Sequence, residues 1–241
     1  MKPTPAEEAA RAAVFRQVNN LIQKTTRNMS TAKFGSQTTG LAMPMSDIDI
    51  RIYPKDESST RNFMNAVDTV YDALRRDTDY MLVVKHQGRF PLLGATHVAS
   101  GLSLQLVVCA DTSASREKVK TYLAEFPNLK KLYMVIKTIF DMRGLSDVWY
   151  GGFGSYTIFM MVVASLKHQD PPQQSMAQQL VNFLEFYGSL DTYTYGVGVD
   201  PPRLFTKKTY PKKTEITAAI DNPVSTPPPP SSSLSSVANT R

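Results

Sequence analysis

The sequence predicts an α/β (α+β) protein in which a small mixed-sheet unit is followed by a helical subdomain. Three observations carry this expectation. Short runs with strand character recur early: DIDIRIY at 47–53, DYMLVVK at 79–85 and LSLQLVVC at 102–109. Past Asp111 the apolar residues recur at helical spacing through SREKVKTYLAEF, NLKKLYMVIKTIFDMRGL, GSYTIFMMVVASLKHQ and SMAQQLVNFLEFYGSL. A further amphipathic helix precedes the sheet.

That first helix is expected from Pro5 to about Arg27, where Ala9, Ala13, Val14, Val18, Leu21 and Ile22 recur at helical spacing, with Thr4 as N-cap and Pro5 at the first helical position. Because it precedes the sheet while the other helices follow it, residues 1–28 are expected to pack onto the C-terminal helices. Strands follow at AKFG, 47–53, 79–85, 89–98 and 102–109, with a helix interposed at 59–76 on the face shared by Phe63, Val67, Val70, Tyr71 and Leu74. The expected organisation is an N-terminal helix at 1–28, a sheet domain at 29–111, a helical domain at 112–221 and a tail at 222–241. The tail, NPVSTPPPPSSSLSSVANTR, is rich in Pro and Ser and is expected to be disordered.

Composition narrows the function classes. The 241 residues carry 27 Lys+Arg against 21 Asp+Glu, a net charge of +6 that favours an anionic partner such as nucleic acid. The single cysteine, Cys109, excludes an internal disulfide, and His86, His97 and His168 offer no zinc-ligand spacing. The longest apolar candidate, YTIFMMVVASL at 156–166, falls short of the roughly 18–20 residues a membrane span needs. The N-terminus has no apolar signal core and carries Glu7 and Glu8, so a nuclear or cytoplasmic location is expected.

The stretch FGSQTTGLAMPMSDIDIRIY at 34–53 carries the chemistry. Strand alternation turns Asp47 and Asp49 to one face and Ile48, Ile50 and Ile52 to the other. Two carboxylates so placed repel, and a divalent cation stabilises both in ionised form; Mg²⁺ takes one or two carboxylates together with substrate phosphate oxygens. Gly35-Ser36 at a helix start supplies backbone N–H groups and a hydroxyl suited to a β/γ-phosphate. Asp-x-Asp by itself also suits a solvated turn, so the combination with Gly35-Ser36 is what raises the chemical reading.

That combination resembles the signature of the DNA polymerase beta nucleotidyltransferase superfamily, and the whole run resembles the FGS-x-x-TGL-x-x-P-x-SDID segment of RNA nucleotidyltransferases with a PAP-associated domain, on the TRAMP-type poly(A) polymerase branch. FPNLKKLYMVIKTIFDMRGLSDVWYGGFGSYTIFMMVVASLKHQ and LVNFLEFYGSLDTYTYGVGV are similar to later blocks of that family, so the resemblance covers roughly residues 8–205. It implies a polymerase-beta-like palm with a helical PAP-associated domain. It also implies an RNA 3′-end nucleotidyltransferase that transfers AMP or UMP from ATP or another NTP with Mg²⁺ or Mn²⁺. The partners it implies are RNA and proteins of the kind found in RNA surveillance complexes. On this resemblance Gly35 and Ser36 hold phosphates, Asp47 and Asp49 ligate metal, Lys137 reaches the phosphates, Ser155 contacts phosphate and Tyr156 stacks on the base.

The sequence departs from the family at a third carboxylate on a later strand. The matching position in LSLQLVVCAD is Gln105, and alternation places Leu102, Leu104, Leu106 and Val108 on one face and Ser103, Gln105 and Val107 on the other. Gln105 is expected to face the two aspartates. A glutamine amide brings no charge and cannot act as a base, so a severe loss of rate is expected, with an inactive RNA- or protein-binding module as the alternative. Asp111, the nearest other carboxylate in that run, lies six residues on, past the expected strand end, and family asparagines that follow this strand fall on Cys109 and about Thr112. The base-reading loop is in question too, since TAAIDNPV runs into PPPPSSS. Lys207, Lys208, Lys212 and Lys213, with Phe205 and Tyr210 nearby, form a weak candidate for binding single-stranded RNA. Lys118, Lys120, Lys130 and Lys131 add positive charge near the starts of predicted helices.

Overall fold

Thr4 begins the first helix as expected, with its hydroxyl accepting the Glu7 N–H at 3.3 Å while the Glu7 carboxylate accepts the Thr4 N–H at 2.6 Å. This reciprocal cap satisfies donors the helix start would leave open, and α1 runs from Pro5–Thr25. The computed structural model describes residues 3–26, 28–55, 63–86, 91–108, 112–148, 151–172 and 175–207. Within them the chain divides into two units, Met1–Lys130 and Lys131–Arg241.

The first unit is built on a five-stranded sheet of β1 (Met29–Lys33), β2 (Ile48–Pro54), β3 (Tyr80–His86), β4 (Leu92–His97) and β5 (Ser103–Val108). The spatial order is β1-β2-β5-β4-β3; β2 and β5 run parallel, and every other pair is antiparallel. Between β1 and β2 lies the short helix α2 (Ser36–Thr39), and between β2 and β3 lies α3 (Phe63–Arg76). Ile48, Ile50 and Ile52 of β2, Leu104 and Leu106 of β5, and Leu93 and Ala95 of β4 face Val14, Val18 and Ile22 of α1 and Val67, Val70 and Leu74 of α3. Each fully buried isoleucine here contributes about 1.5–3 kcal/mol relative to an exposed one.

Two expectations on domain organisation are corrected. The buried stripe of α1 packs on the sheet and shares its core with α3 within the first unit, where residues 1–28 were expected to pack onto the C-terminal helices. The helix α4 (Ser113–Glu125) also belongs to the first unit, where it packs beside α2, so the division falls after Lys130 instead of at 111. In both cases the signal was in the pairing of faces, which periodicity along one helix does not specify.

The second unit takes in most of α5 (Leu129–Met142), then α6 (Ser155–Lys167) and α7 (Met176–Ser189). Every residue of α6 from Ile158 to Leu166 is buried, as its unbroken apolar run requires. Tyr133 of α5 meets Phe159 of α6 edge-on at 5.6 Å, and the Tyr187 hydroxyl of α7 donates to the Met161 carbonyl at 3.0 Å. An antiparallel hairpin of β6 (Tyr195–Gly198) and β7 (Arg203–Thr206) was absent from the expected elements. Its strands are four residues long, and Gly196 has no side chain because a Cβ there would sit 2.4 Å from the Phe205 ring.

The expected strand at 89–98 is seen as β4, with 89 and 90 outside the described residues, and the expected helix at 59–76 is seen from Phe63. Cys109, Asp111 and the tail at 222–241 also lie outside them. Among the described residues no helix is long and apolar enough to cross a membrane.

Candidate active site

The site is assembled where the chain leaves β1, turns through Gly35-Ser36 and enters β2. Ile48 and Ile50 point into the core, so Asp49 and the preceding Asp47 are turned to the other face, as alternation requires. The turn that delivers Asp47 is closed twice: the Ser46 N–H donates to the Met43 carbonyl at 3.0 Å, and the Met43 N–H donates to the Ser46 hydroxyl at 2.9 Å.

Gly35 lies directly against Asp49. Its φ is +62°, and a Cβ there would stand 2.3 Å from Asp49 Oδ2, so both backbone conformation and space demand glycine. The Phe34 N–H donates to the Asp49 carbonyl at 3.2 Å, and the Ser36 backbone N–H donates to the Asp49 carboxylate. The Gly-Ser turn is thereby docked on the aspartate through main chain and side chain alike. At the far end of α2, Lys130 brings its ammonium next to Gly40.

Burial, followed by the adjacent Asp47 charge, pushes the Asp49 carboxyl up from 3.8 to about 7, against the pull of the Ser36 N–H and the Arg11 charge. An acidic pair this reluctant to ionise both members is suited to a hard divalent cation with oxygen ligands. Asp47 and Asp49 fit such an ion. Parallel pairing of β2 with β5 puts Gln105 directly opposite Asp49, and its Nε2 donates to Asp47 Oδ2 at 2.7 Å. The position expected to face the aspartates does so, and it brings a neutral amide. No cluster of three or more acidic, His or Cys groups occurs among the described residues.

Lys137, Ser155 and Tyr156 belong to the second unit. Lys137 forms an ion pair with Asp141 one turn on along α5. Ser155 opens α6 behind Gly154 and is exposed, while Tyr156 is half-buried. Of the weak RNA-binding cluster, Lys207 donates from its Nζ to the Thr192 carbonyl at 2.7 Å and so ties the 191–194 turn to the end of β7. Lys208, Tyr210, Lys212 and Lys213 lie outside the described residues. Lys118 and Lys120 sit within α4 instead of at its start, and Lys120 pairs with Glu117 at 2.9 Å.

Sequence reasoning missed Arg11. It occupies the buried stripe of α1, three residues ahead of Val14 and seven ahead of Val18, and a charge at a stripe position was the available signal.

Residues 1–116 match the family model described as poly(A) RNA polymerase, mitochondrial-like, central palm domain. The matched span takes in α1 together with the whole sheet, in agreement with the packing of that helix. The polymerase core of TRAMP, an RNA surveillance complex, superposes with a TM-score of 0.70 at 21% identity, covering 86% of this chain and 68% of that one. The structure of mtPAP with ATPγS superposes with a TM-score of 0.71 at 14% identity, covering 86% and 56%. The first unit has the palm fold of these polymerases.

Curated relatives of the palm and the helices after it include inactive non-canonical poly(A) RNA polymerase protein Trf4-2 of Drosophila melanogaster. It is 26% identical over 209 residues, which is 83% of this chain and 51% of that protein. Poly(A) RNA polymerase cid14 of Schizosaccharomyces pombe is 26% identical over 219 residues, or 82% and 30%. The chain spans about half or less of the length of these relatives.

Proposed function

We propose that the protein is an RNA 3′-end nucleotidyltransferase of the poly(A) polymerase kind whose rate is severely impaired. It would transfer AMP, or UMP, from an NTP to an RNA 3′-hydroxyl with release of pyrophosphate. The observation that carries both halves is the acidic pair Asp47–Asp49, docked on Gly35-Ser36 and faced in register by Gln105.

Asp47 and Asp49 would hold Mg²⁺ or Mn²⁺, which when bound lowers the pKa of an attacking hydroxyl and neutralises charge on a triphosphate. The chain's own residues do the rest. The Gly35-Ser36 turn offers a close backbone approach and a hydroxyl to phosphate oxygens. The 3′-oxygen attacks the α-phosphorus, and the bond to pyrophosphate breaks. At the place nearest the attacking hydroxyl, Gln105 can donate or accept a hydrogen bond but can neither take the proton nor add negative charge.

The alternative is an inactive RNA- or protein-binding module. The Gln105 hydrogen bond to Asp47 favours it, because the amide ties up a carboxylate oxygen that a cation would use. Proteins similar to this chain are described in complexes, TRAMP and GLD-2/RNP-8 among them, which supports RNA and partner proteins of that kind as ligands.

Extension of a labelled oligo(A) RNA with each NTP and Mg²⁺ or Mn²⁺ tests the reading, using the unaltered protein, Gln105→Asp, and Asp47→Ala/Asp49→Ala. Slow extension abolished by the double alanine, and accelerated by Gln105→Asp, is expected. No extension by either the unaltered protein or Gln105→Asp, with RNA binding retained, selects the module instead.

A further inference from the structure

The strand that carries the acidic pair continues past it. Ile48, Ile50 and Ile52 of β2 are buried in the core, so alternation leaves Arg51 and Tyr53 on the same face as Asp49, two and four residues further on. At about 3.4 Å per residue they stand roughly 7 and 14 Å from it along the strand. The Arg51 guanidinium lies over the Tyr53 ring, 4.6 Å from its centroid. Across the sheet, Ala32 and Val107 flank Arg51 and Ser30 flanks Tyr53, all three uncharged and no larger than valine. The main-chain ladder runs on to Lys55, which is exposed and whose N–H donates to the Asn28 carbonyl at 2.8 Å.

The order of charge gives this face a direction. β1 is antiparallel to β2 and places Lys33 opposite Ile50, so the Gly35-Ser36 turn that follows stands at the end where β2 begins. NTP phosphates seated on that turn crowd the same end with negative charge, and a second polyanion is repelled from it. An RNA that presents its 3′-hydroxyl to the aspartates must place its remaining phosphates and bases elsewhere. Towards Pro54 the strand supplies a cation, an aromatic ring and a second cation in succession. That combination suits a single strand, whose backbone meets charge while its unpaired bases stack on flat side chains. A guanidinium already laid on a tyrosine ring is also held in place, so little side-chain freedom is lost when a base arrives.

We propose that Arg51 and Tyr53, with Lys55 beyond them, form the docking face for the 3′-terminal nucleotides of single-stranded RNA: Tyr53 stacks on a base, and Arg51 and Lys55 contact backbone phosphates. The proposal deepens the reading of the site as an RNA 3′-end transferase and rests on it for the placement of the 3′-hydroxyl. The binding surface itself stands on the chemistry of the β2 face.

Fluorescence anisotropy of a labelled oligo(A) RNA without NTP measures binding with no turnover, across a range of KCl, for the unaltered protein, Arg51→Met, Tyr53→Leu and Tyr53→Phe. Met and Leu keep most of the side-chain volume, and thermal melts restrict the comparison to folded protein. Arg51→Met is expected to weaken binding and to flatten the dependence of log Kd on log salt by about 0.7, the share of one phosphate contact. Tyr53→Leu is expected to weaken binding on the order of fivefold or more with the salt dependence unchanged, while Tyr53→Phe binds like the unaltered protein. Unaltered RNA affinity in Arg51→Met and Tyr53→Leu overturns the proposal, as does a loss in Arg51→Met without a change of salt slope. No measurable RNA binding by the unaltered protein overturns it too. Weaker binding of a fluorescent ATP analogue with RNA affinity intact would give the face to the NTP instead. If Tyr53→Leu does not fold, Arg51→Met and its salt slope decide alone.

Primer extension by the same proteins separates this proposal from the reading beneath it. Extension by the unaltered protein, with the Arg51 and Tyr53 variants binding and extending alike, removes the docking face and leaves the transferase. Absent extension, with RNA binding that depends on Arg51 and Tyr53, removes the transferase and leaves a single-strand docking face.

Discussion

Replacing Asp49 with Asn should stabilise the metal-free protein, and the gain should follow pH in a way that the site dictates. Asp49 carries an ordinary pKa of 3.8 when unfolded and about 7 when folded, chiefly through burial and then through the charge of Asp47. Between those values the unfolded chain has released a proton that the folded protein retains, so folding weakens as pH rises. Above about 7 the carboxylate is ionised in both states and the penalty is complete. At about 1.4 kcal/mol per pH unit the interval corresponds to roughly 4 kcal/mol, a ceiling that relaxation of the site would reduce. In a chain of this size that is on the order of 10 °C in Tm. Asparagine is nearly isosteric, keeps an oxygen for the Ser36 N–H, and carries no charge to repel Asp47. Thermal or urea unfolding in EDTA from pH 3.5 to 8.5 should show the two proteins nearly coincident at the acid end, diverging towards pH 7 and parallel beyond it. Added Mg²⁺ should then stabilise the unaltered protein and leave Asp49→Asn where it was. A difference independent of pH, or a variant less stable than the parent at pH 8, would refute the reasoning.

Gly35→Ala should lower stability by about 1–3 kcal/mol through its positive φ alone, and more once the methyl meets Asp49 Oδ2; chemical denaturation measures the loss, and an unchanged midpoint would mean the turn does not rest on Asp49. Ile50→Ala should cost about 2–5 kcal/mol, because Ile50 is fully buried between the sheet and α1. A loss below about 1 kcal/mol in urea unfolding would show that this layer is not packed as described. Gln105→Asp should both raise primer extension and lower Tm in EDTA, since a third carboxylate joins two that already repel. Unchanged thermal stability would place residue 105 away from the pair.

Much of the palm was legible because its information is local. The alternation in DIDIRIY and LSLQLVV separates core from site without reference to any partner strand, and the run FGSQTTGLAMPMSDID carries turn, glycine and carboxylates within one short segment. The β6–β7 hairpin escaped because its strands are only four residues long and glycine fills every second position of β6, which leaves too little periodicity to register. Charge density in FTKKTYPKK likewise says nothing of whether an ammonium meets solvent or a carbonyl such as that of Thr192.

By itself the sequence determined which side chains of each strand face the core, where the first helix begins, and that two aspartates stand together behind a Gly-Ser turn. These follow from backbone periods and from capping chemistry that acts over a few residues. Only the tertiary structure decided that β5 pairs in parallel with β2 so that Gln105 reaches Asp47, that α1 closes over the sheet, and that the buried Arg11 of α1 donates to the Pro44 carbonyl. Each of those depends on segments far apart in the chain, and the energy that selects them is the joint burial of several faces at once, which no single segment contains.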